Sequence, residues 1–138
     1  MILFRRTCHD AQTPTRSSAG AAGFDLFSTK SFSLNPGVRH AFPIGIQAAI
    51  PEGWVGLIYP RSGMSIKQGL NKLAGVVDSD YRGEIHAVLL NSGDEQIEIR
   101  MGDRIAQLVV VPYMGDSKEV TDLDETERGE SGFGSTGR

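Results

Sequence analysis

An aspartate in a short polar turn is the residue of this sequence best suited to activate a water molecule. Residues 75–85 read GVVDSDYRGEI, and two apolar runs around a polar turn predict a β-hairpin with Asp78 near its tip. A carboxylate placed in a ligand pocket can orient or deprotonate water, and Tyr81 can lie flat against a sugar ring. The alternative is that Asp78 and Asp80 are ordinary turn residues.

A second cluster, Pro60-Arg61-Ser62-Gly63, has the composition of an anion site. A short helix is predicted over residues 63–70, with Ser62 as its N-cap and Gly69 at its end. Unpaired N–H groups and the helix dipole favour an anion at such a start. The alternative is an arginine in a surface salt bridge and a serine that only caps the helix.

The glycine-rich end of the chain also has phosphate-binding chemistry. Residues 132–137 fit G-x-G-x-x-G, and residues 129–136 resemble a P-loop in which Ser135 replaces the lysine. Both motifs require a helix that follows directly, and the sequence gives no room for one. What remains is glycine backbone N–H groups, the hydroxyls of Ser135 and Thr136, and the charge of Arg128, all of which bind phosphate.

Other common site chemistries find no support in the sequence. The single cysteine, Cys8, excludes an intramolecular disulfide and a zinc thiolate site. The three histidines, His9, His40 and His86, lack metal-ligand spacing, and no G-x-S-x-G elbow occurs.

The overall charge and hydropathy exclude two classes of partner. Net charge is −3 with both signs interspersed, so nucleic-acid binding is not expected. The longest apolar stretch, residues 108–112, is far shorter than the ~20 residues of a membrane span. The first ten residues do not resemble a signal peptide, which predicts a reducing, cytoplasmic location.

The elements that must position these residues are predicted to be β-strands. Short apolar stretches near residues 1–4, 24–27, 38–50, 54–59, 74–77, 85–90, 97–99 and 105–113 are separated by Gly, Pro, Asn and Asp. Spacing near ten residues predicts one all-β domain, a sandwich, barrel or jelly roll. We place this domain at residues 1–121 and predict that residues 122–138, too polar to fold alone, form a flexible flap that orders on a ligand.

Five segments, taken together, resemble the five ordered motifs of trimeric dUTPases. Order and spacing both agree, and the resemblance covers nearly the whole chain. The segments are Ala22 to Leu26, Pro60 to Gly63, Gly75 to Gly83, Gly102 to Leu108, and Arg128 to Gly137.

The resemblance implies a distorted jelly-roll homotrimer whose three active sites lie between subunits, each closed by a C-terminal motif that crosses from a neighbour. It implies hydrolysis of dUTP to dUMP and pyrophosphate by Mg²⁺-assisted water attack on the α-phosphorus. Such an activity keeps uracil out of DNA and supplies dUMP for thymidylate synthesis.

The same resemblance implies a role for each matching residue. Asp78 activates the water, Gln107 lies near the α-phosphate, and Asp25 either holds metal-bound water or is structural. The residues expected to bind substrate are Arg61, Ser62 and Gly63 for the triphosphate; Gly75, Val76 and Val77 for the uracil edge; Tyr81 for deoxyribose; Phe133 as a cover over uracil; and Arg128, Gly134, Ser135 and Thr136 for the γ-phosphate.

Parts of the sequence are also compatible with two other functions. A dCTP deaminase shares the fold and the Arg-Ser segment and needs a glutamate after the hairpin, where Glu84 stands. The turn around Asp78 and the tail are nevertheless of the dUTPase type. A non-catalytic nucleotide-binding module is the second alternative, and an intact Asp78 and Gln107 argue against it.

Overall fold

A computed structural model describes residues 1–131 of the chain, and within them the structure is almost entirely β. Eleven strands and one short helix occur in that part of the chain. Their bounds are β1 Leu3–Arg6, β2 Gly23–Phe27, β3 Phe32–Leu34, β4 Arg39–Pro43, β5 Ile46–Ala49, β6 Trp54–Pro60, α1 Ser62–Gln68, β7 Leu70–Lys72, β8 Val76–Val77, β9 His86–Asn91, β10 Ile97–Ile99 and β11 Arg104–Pro112.

All the strand pairs are antiparallel, and they form two sheets and two ribbons. The largest sheet has the order β2-β11-β6-β8, and the second has the order β4-β9-β7. The ribbons pair β1 with β5 and β3 with β10. The predicted all-β, jelly-roll-like class with one short helix is confirmed.

The strand predictions differ from the structure in three respects: missed strands, a broken strand and a hairpin that does not form. Strands β3 and β7 were missed because neither contains a β-branched residue: they read Phe-Ser-Leu and Leu-Asn-Lys. The stretch predicted over residues 38–50 is broken at Gly45, whose φ is +68° and where a Cβ would lie 2.7 Å from that of Ala11. The predicted hairpin around Asp78 is not a hairpin, because β8 pairs with β6 whereas β9 pairs with β4 and β7.

The helix occurs where the sequence predicts it, but its N-cap is one residue earlier. Arg61 is the N-cap, with an extended backbone at φ −84° and ψ 135°. Ser62 is therefore the first helical residue, and its predicted capping role is wrong. Gly69 ends the helix in the left-handed conformation at φ 70°, as predicted.

Within the described residues the core is mainly aliphatic, with Phe42 as its buried aromatic side chain, and it lies entirely before the end of β11. Leu26, Ile58 and Leu108 lie on three adjacent strands of the large sheet and are at most 2% exposed. Every residue from Pro112 to Ser131 is exposed, and regular structure ends at Pro112, ahead of the boundary predicted at residue 121. Among residues 1–131, no helix is long and apolar enough to cross a membrane.

Candidate active site

Three polar side chains form a row across the large sheet. Gln107 on β11 is the register partner of Asp25 on β2 and of Tyr59 on β6. Directly opposed residues point to the same face of a sheet, so the three side chains are neighbours. The Gln107 side-chain amide donates to the carbonyl of Pro60 at 3.3 Å, which fixes its direction.

Asp25 holds two arginines beside this row. Its carboxyl group is nearly buried, since the residue is 8% exposed. Oδ2 accepts a hydrogen bond of 3.4 Å from Arg104, and Oδ1 lies 3.8 Å from Nε of Arg61. Because a buried carboxylate needs compensating charge, we read Asp25 as the group that orients Arg61 at the start of α1.

A shallow, cationic pocket lies at that helix start. It has a volume of about 340 Å³ and is lined by Arg61, Ser62, Gly63, Lys67 and Arg104, among others. Three positive charges around one hydroxyl and a glycine suit a polyphosphate, which arginine binds through parallel hydrogen bonds. A pocket thus lies where the sequence predicts an anion site, and Lys67 and Arg104 add charge to it that the sequence motif did not include. Anion binding there stays a prediction.

Asp78 lies in a turn that its neighbours hold tightly. The Tyr81 N–H donates to the Asp78 carbonyl at 3.2 Å. The Arg82 guanidinium donates to the carbonyls of Ser79 and Tyr81 at 2.7 and 3.0 Å. The exposed Asp78 lines an open cavity of about 840 Å³, so its carboxylate is accessible to water and to a ligand.

A narrower cavity of about 180 Å³ opens on the other side of the same turn. Gly75, Val76, Val77 and Tyr81 all help to line it. Gly75 is required there by close approach, since a Cβ would lie 2.8 Å from the carbonyl oxygen of Ile58. The size, the apolar wall and the accessible backbone suit a small planar ring.

The structure does not bring Asp78 and Gln107 together within one chain. Val77 pairs with Gly56 on β6, so Asp78 lies beyond that point, whereas Gln107 pairs with Tyr59 on the opposite side of β6. Four residues along a strand and two strand spacings separate them by roughly 15 Å. None of the three cavities described above is lined by both Asp78 and Arg61.

Sequence reasoning missed two residues in this region, Tyr59 and Lys72. The Lys72 ammonium lies 4.0 Å from the centroid of the Tyr59 ring, in the row that contains Gln107. Tyr59 could have been found from the sequence, because it lies two positions before Arg61 and residues two apart in a strand point to the same face. Lys72 could not be found that way, because its strand was missed.

The carboxylate of Glu84, the glutamate that a dCTP deaminase would need, is bound by two groups of the fold. Oε2 accepts a hydrogen bond from the Thr7 hydroxyl at 2.7 Å, and Oε1 accepts one from the N–H of Gly45 at 3.3 Å. A carboxylate held in this way by the fold is poorly placed for proton transfer to a substrate.

The C-terminal site residues divide into two groups. Arg128 is described and exposed, and its Nε donates to the carbonyl of Ser131 at 2.9 Å. The predicted positions Phe133, Gly134, Ser135 and Thr136 lie outside the described residues.

Metal binding by side chains alone is not favoured by the described residues. Within residues 1–131 no three His, Cys, Asp or Glu side chains are grouped as a metal site would require. Asp25 is already compensated by two arginines. A cation at this site would have to be bound mainly by ligand oxygens and water, as Mg²⁺ commonly is at phosphates.

Comparisons with a family model, with protein sequences and with solved structures all match this chain to dUTPases. The dUTPase family model matches residues 9–137. The deoxyuridine 5′-triphosphate nucleotidohydrolase of Mus musculus is 47% identical over 99% of this chain and 85% of its own length. A mutant dUTPase of Staphylococcus bacteriophage 80alpha, solved with dUpNHpp, superposes with a TM-score of 0.91 at 30% identity over 100% of this chain and 99% of its own. A mutant dUTPase of phage phi11, described as coordinating a structural Mg(II) ion, has a TM-score of 0.83 at 27% identity, covering 89% of this chain and 98% of its own.

Proposed function

Because this chain belongs to the dUTPase family, we infer that it hydrolyses dUTP to dUMP and pyrophosphate, and we propose that each active site combines residues of neighbouring copies. The enzyme class and the reaction follow from the family. The residue roles, the metal and the assembly are our proposals. A cytoplasmic location stays a prediction.

The observation that carries the proposal is the separation of Asp78 from Gln107 and Arg61 within one chain. A water molecule attacking a phosphorus atom must touch its base and lie within about 3 Å of the phosphate. Groups roughly 15 Å apart cannot both contact it. A second copy that brings its cationic pocket to the Asp78 turn of the first would complete the site. Such a head-to-tail contact can close into a symmetric ring, and the resemblance to trimeric dUTPases leads us to propose three copies.

In the proposed reaction, the Asp78 carboxylate accepts a proton from water as the water oxygen attacks the α-phosphorus. The bond from the α-phosphorus to the bridging oxygen breaks, and pyrophosphate leaves with that electron pair. Gln107 contacts the α-phosphate, and Arg61, Ser62 and Gly63 bind the other phosphates. Arg128, Gly134, Ser135 and Thr136 would bind the γ-phosphate, and Phe133 would cover uracil.

Mg²⁺ fits this donor set as a metal carried by the substrate. The triphosphate oxygens and water would supply most ligands, with Asp25 able to contribute only through water because its oxygens face Arg61 and Arg104. When bound, the ion offsets the negative charge of the phosphates. The arginines around the start of α1 would also offset the negative charge of the phosphates.

The narrow cavity at Gly75 to Val77 accounts for base selectivity in this proposal. Uracil would pair with backbone groups there, a thymine methyl would clash, and the cytosine amino group would mismatch the hydrogen bonds. Tyr81 would lie under deoxyribose, where a 2′-hydroxyl has no room.

The proposed function is tested by measuring pyrophosphate release from dUTP, dCTP, dTTP and UTP with Mg²⁺. We expect turnover of dUTP alone, and we expect EDTA to stop it. A folded protein that releases no pyrophosphate from dUTP would contradict the assignment. Ammonia release from dCTP would show a deaminase instead.

Gly23→Ala is expected to lower kcat by roughly tenfold to a hundredfold, since small displacements of catalytic groups have effects of this size. The Gln107 side chain lies directly over Gly23, where a Cβ would come within 3.1 Å of both its Cβ and its Cδ. The added methyl group therefore displaces the Gln107 amide from its present position. Steady-state kinetics on dUTP measure the effect.

Gly20→Ala is the matched control, because a Cβ at Gly20 would meet nothing within 4 Å. It should retain the wild-type rate. Equal kinetics for the Gly23 and Gly20 variants would mean that the position of Gln107 has no influence on the reaction.

A further inference from the structure

The carboxylate of Glu84 joins the segment that follows the Asp78 turn to two distant parts of the chain. Its oxygens accept hydrogen bonds from the Thr7 hydroxyl at 2.7 Å and from the Gly45 N–H at 3.3 Å. The two donors are themselves connected, because the Thr7 N–H donates to the Gly45 carbonyl at 2.8 Å. The carboxylate thus lies in a cradle formed by the end of β1 and the turn before β5.

This cradle is rigid at Gly45. The residue has a φ of +68°, and a Cβ there would lie 2.7 Å from the Cβ of Ala11 and 2.9 Å from Sγ of Cys8. Backbone hydrogen bonds from Ile44 to Ile85 and from Ile85 to Ile46 connect the same turn to the residue that follows Glu84. The Gly45 N–H therefore has a fixed direction toward the carboxylate.

The main chain of Glu84 in turn holds Tyr81. The Tyr81 hydroxyl donates to the Glu84 carbonyl at 3.0 Å, and Nδ1 of His86 contacts the same carbonyl at 3.2 Å. The ring passes over Gly83, where a Cβ would meet the phenol. Tyr81 is 45% exposed and has room to move when that hydroxyl contact is lost.

We propose that Glu84 is a positioning residue that fixes Tyr81 through the contacts of its carboxylate with Thr7 and Gly45, and so sets the discrimination between deoxyribose and ribose. The role rests on the proposed function, since it assumes that Tyr81 contacts the sugar. Charge-assisted hydrogen bonds of this kind are about twice as strong as neutral ones. Their loss frees residue 84 and the carbonyl that the phenol requires.

The first test compares Glu84→Ala with Glu84→Gln. The alanine variant should raise the KM for dUTP by roughly five- to thirtyfold, the equivalent of one or two hydrogen bonds, and leave kcat within about threefold. The ratio of kcat/KM for dUTP over UTP should fall. A glutamine Oε1 can still accept from the Gly45 N–H while its NH2 group donates to the Thr7 hydroxyl, which is also an acceptor. The glutamine variant should therefore restore most of the KM and the selectivity.

The second test acts on the partner of Glu84. Thr7→Val removes the hydroxyl at nearly constant volume and should give a smaller change of the same kind, whereas Thr7→Ser should behave as wild type. The double variant with Glu84→Ala should be no worse than Glu84→Ala alone, since both remove one interaction. Glu98→Ala, at an exposed position of β10, is the matched control and should change nothing.

The outcomes separate this proposal from the proposed function. An active wild-type enzyme whose Glu84→Ala variant keeps its KM and its dUTP-over-UTP ratio would overturn the positioning role only. A wild-type protein without dUTP hydrolysis would overturn the proposed function and this role with it. If Glu84→Ala does not fold, as thermal unfolding would show, the Thr7 variants decide: an unchanged selectivity in Thr7→Val would refute the proposal.

Discussion

Asp78→Asn is expected to lower kcat for dUTP by roughly 10²- to 10⁴-fold, the usual contribution of a general base. The amide keeps the shape of the carboxylate but cannot accept the proton from water. Nucleotide binding should remain within a few-fold of wild type, because the cationic pocket and the narrow cavity are unchanged. Pyrophosphate release measures kcat, and calorimetry with a non-hydrolysable dUTP analogue measures the Kd.

Asp80→Asn is the matched control for this variant. Asp80 lies in the same exposed turn and lines the same cavity as Asp78. Each substitution therefore removes one negative charge from this cavity. The control should lose less than about tenfold, the scale of an electrostatic change near the ligand. Equal losses in both variants would show that charge, not proton transfer at Asp78, governs the rate.

The parts of this site that the sequence predicts well are those whose geometry is local. A glycine after a helical stretch and a polar turn between apolar runs depend on residues a few positions apart. Gly69 ends the helix and Asp78 lies in a tight turn for that reason. Only the resemblance to a family connected these local features to one reaction.

The parts that could not be predicted depend on strand pairing between distant segments. The row Asp25, Gln107 and Tyr59 exists because β11 pairs with β2 on one side and β6 on the other. Nothing within one strand specifies that register. Glu84 shows the same limit, since its carboxylate is bound by Thr7, which is 77 positions away in the sequence.

The separation of Asp78 from the cationic pocket within one chain sets a condition on the site that we propose. Each chain supplies a rigid turn at one edge of β6 and a cationic pocket at the opposite side of the same sheet. In the site that we propose, neither surface is complete alone. We therefore expect activity to require assembly and a folded single chain to be inactive.

A chain that ends at Glu127 is expected to fold normally and to lose roughly 10²- to 10³-fold in kcat/KM for dUTP, as expected when groups that close and position the substrate are removed. Among residues 1–131, all buried apolar residues lie between Ala11 and Leu108, so the truncation removes none of this core. Thermal unfolding should show an unchanged Tm. A truncated protein with full activity would remove Arg128 and the residues after it from the proposed site.

Mixing the truncated protein with full-length Asp78→Asn tests whether sites are shared between chains. Each protein alone should be nearly inactive. Light scattering should give each a mass near three times that of its own chain, which is 14.9 kDa for the full-length protein and lower for the truncated one. The two proteins are then dissociated, mixed in equal amounts and reassembled. A site that takes Asp78 from one chain and the C-terminal segment from another is intact in about a quarter of cases, because each of these two parts comes from an intact copy with a probability of about one half. A site built within one chain can never be intact in such mixtures.

Recovery near a quarter of wild-type activity would therefore establish shared sites, and no recovery from well-mixed trimers would place Asp78 and the C-terminal segment in the same chain.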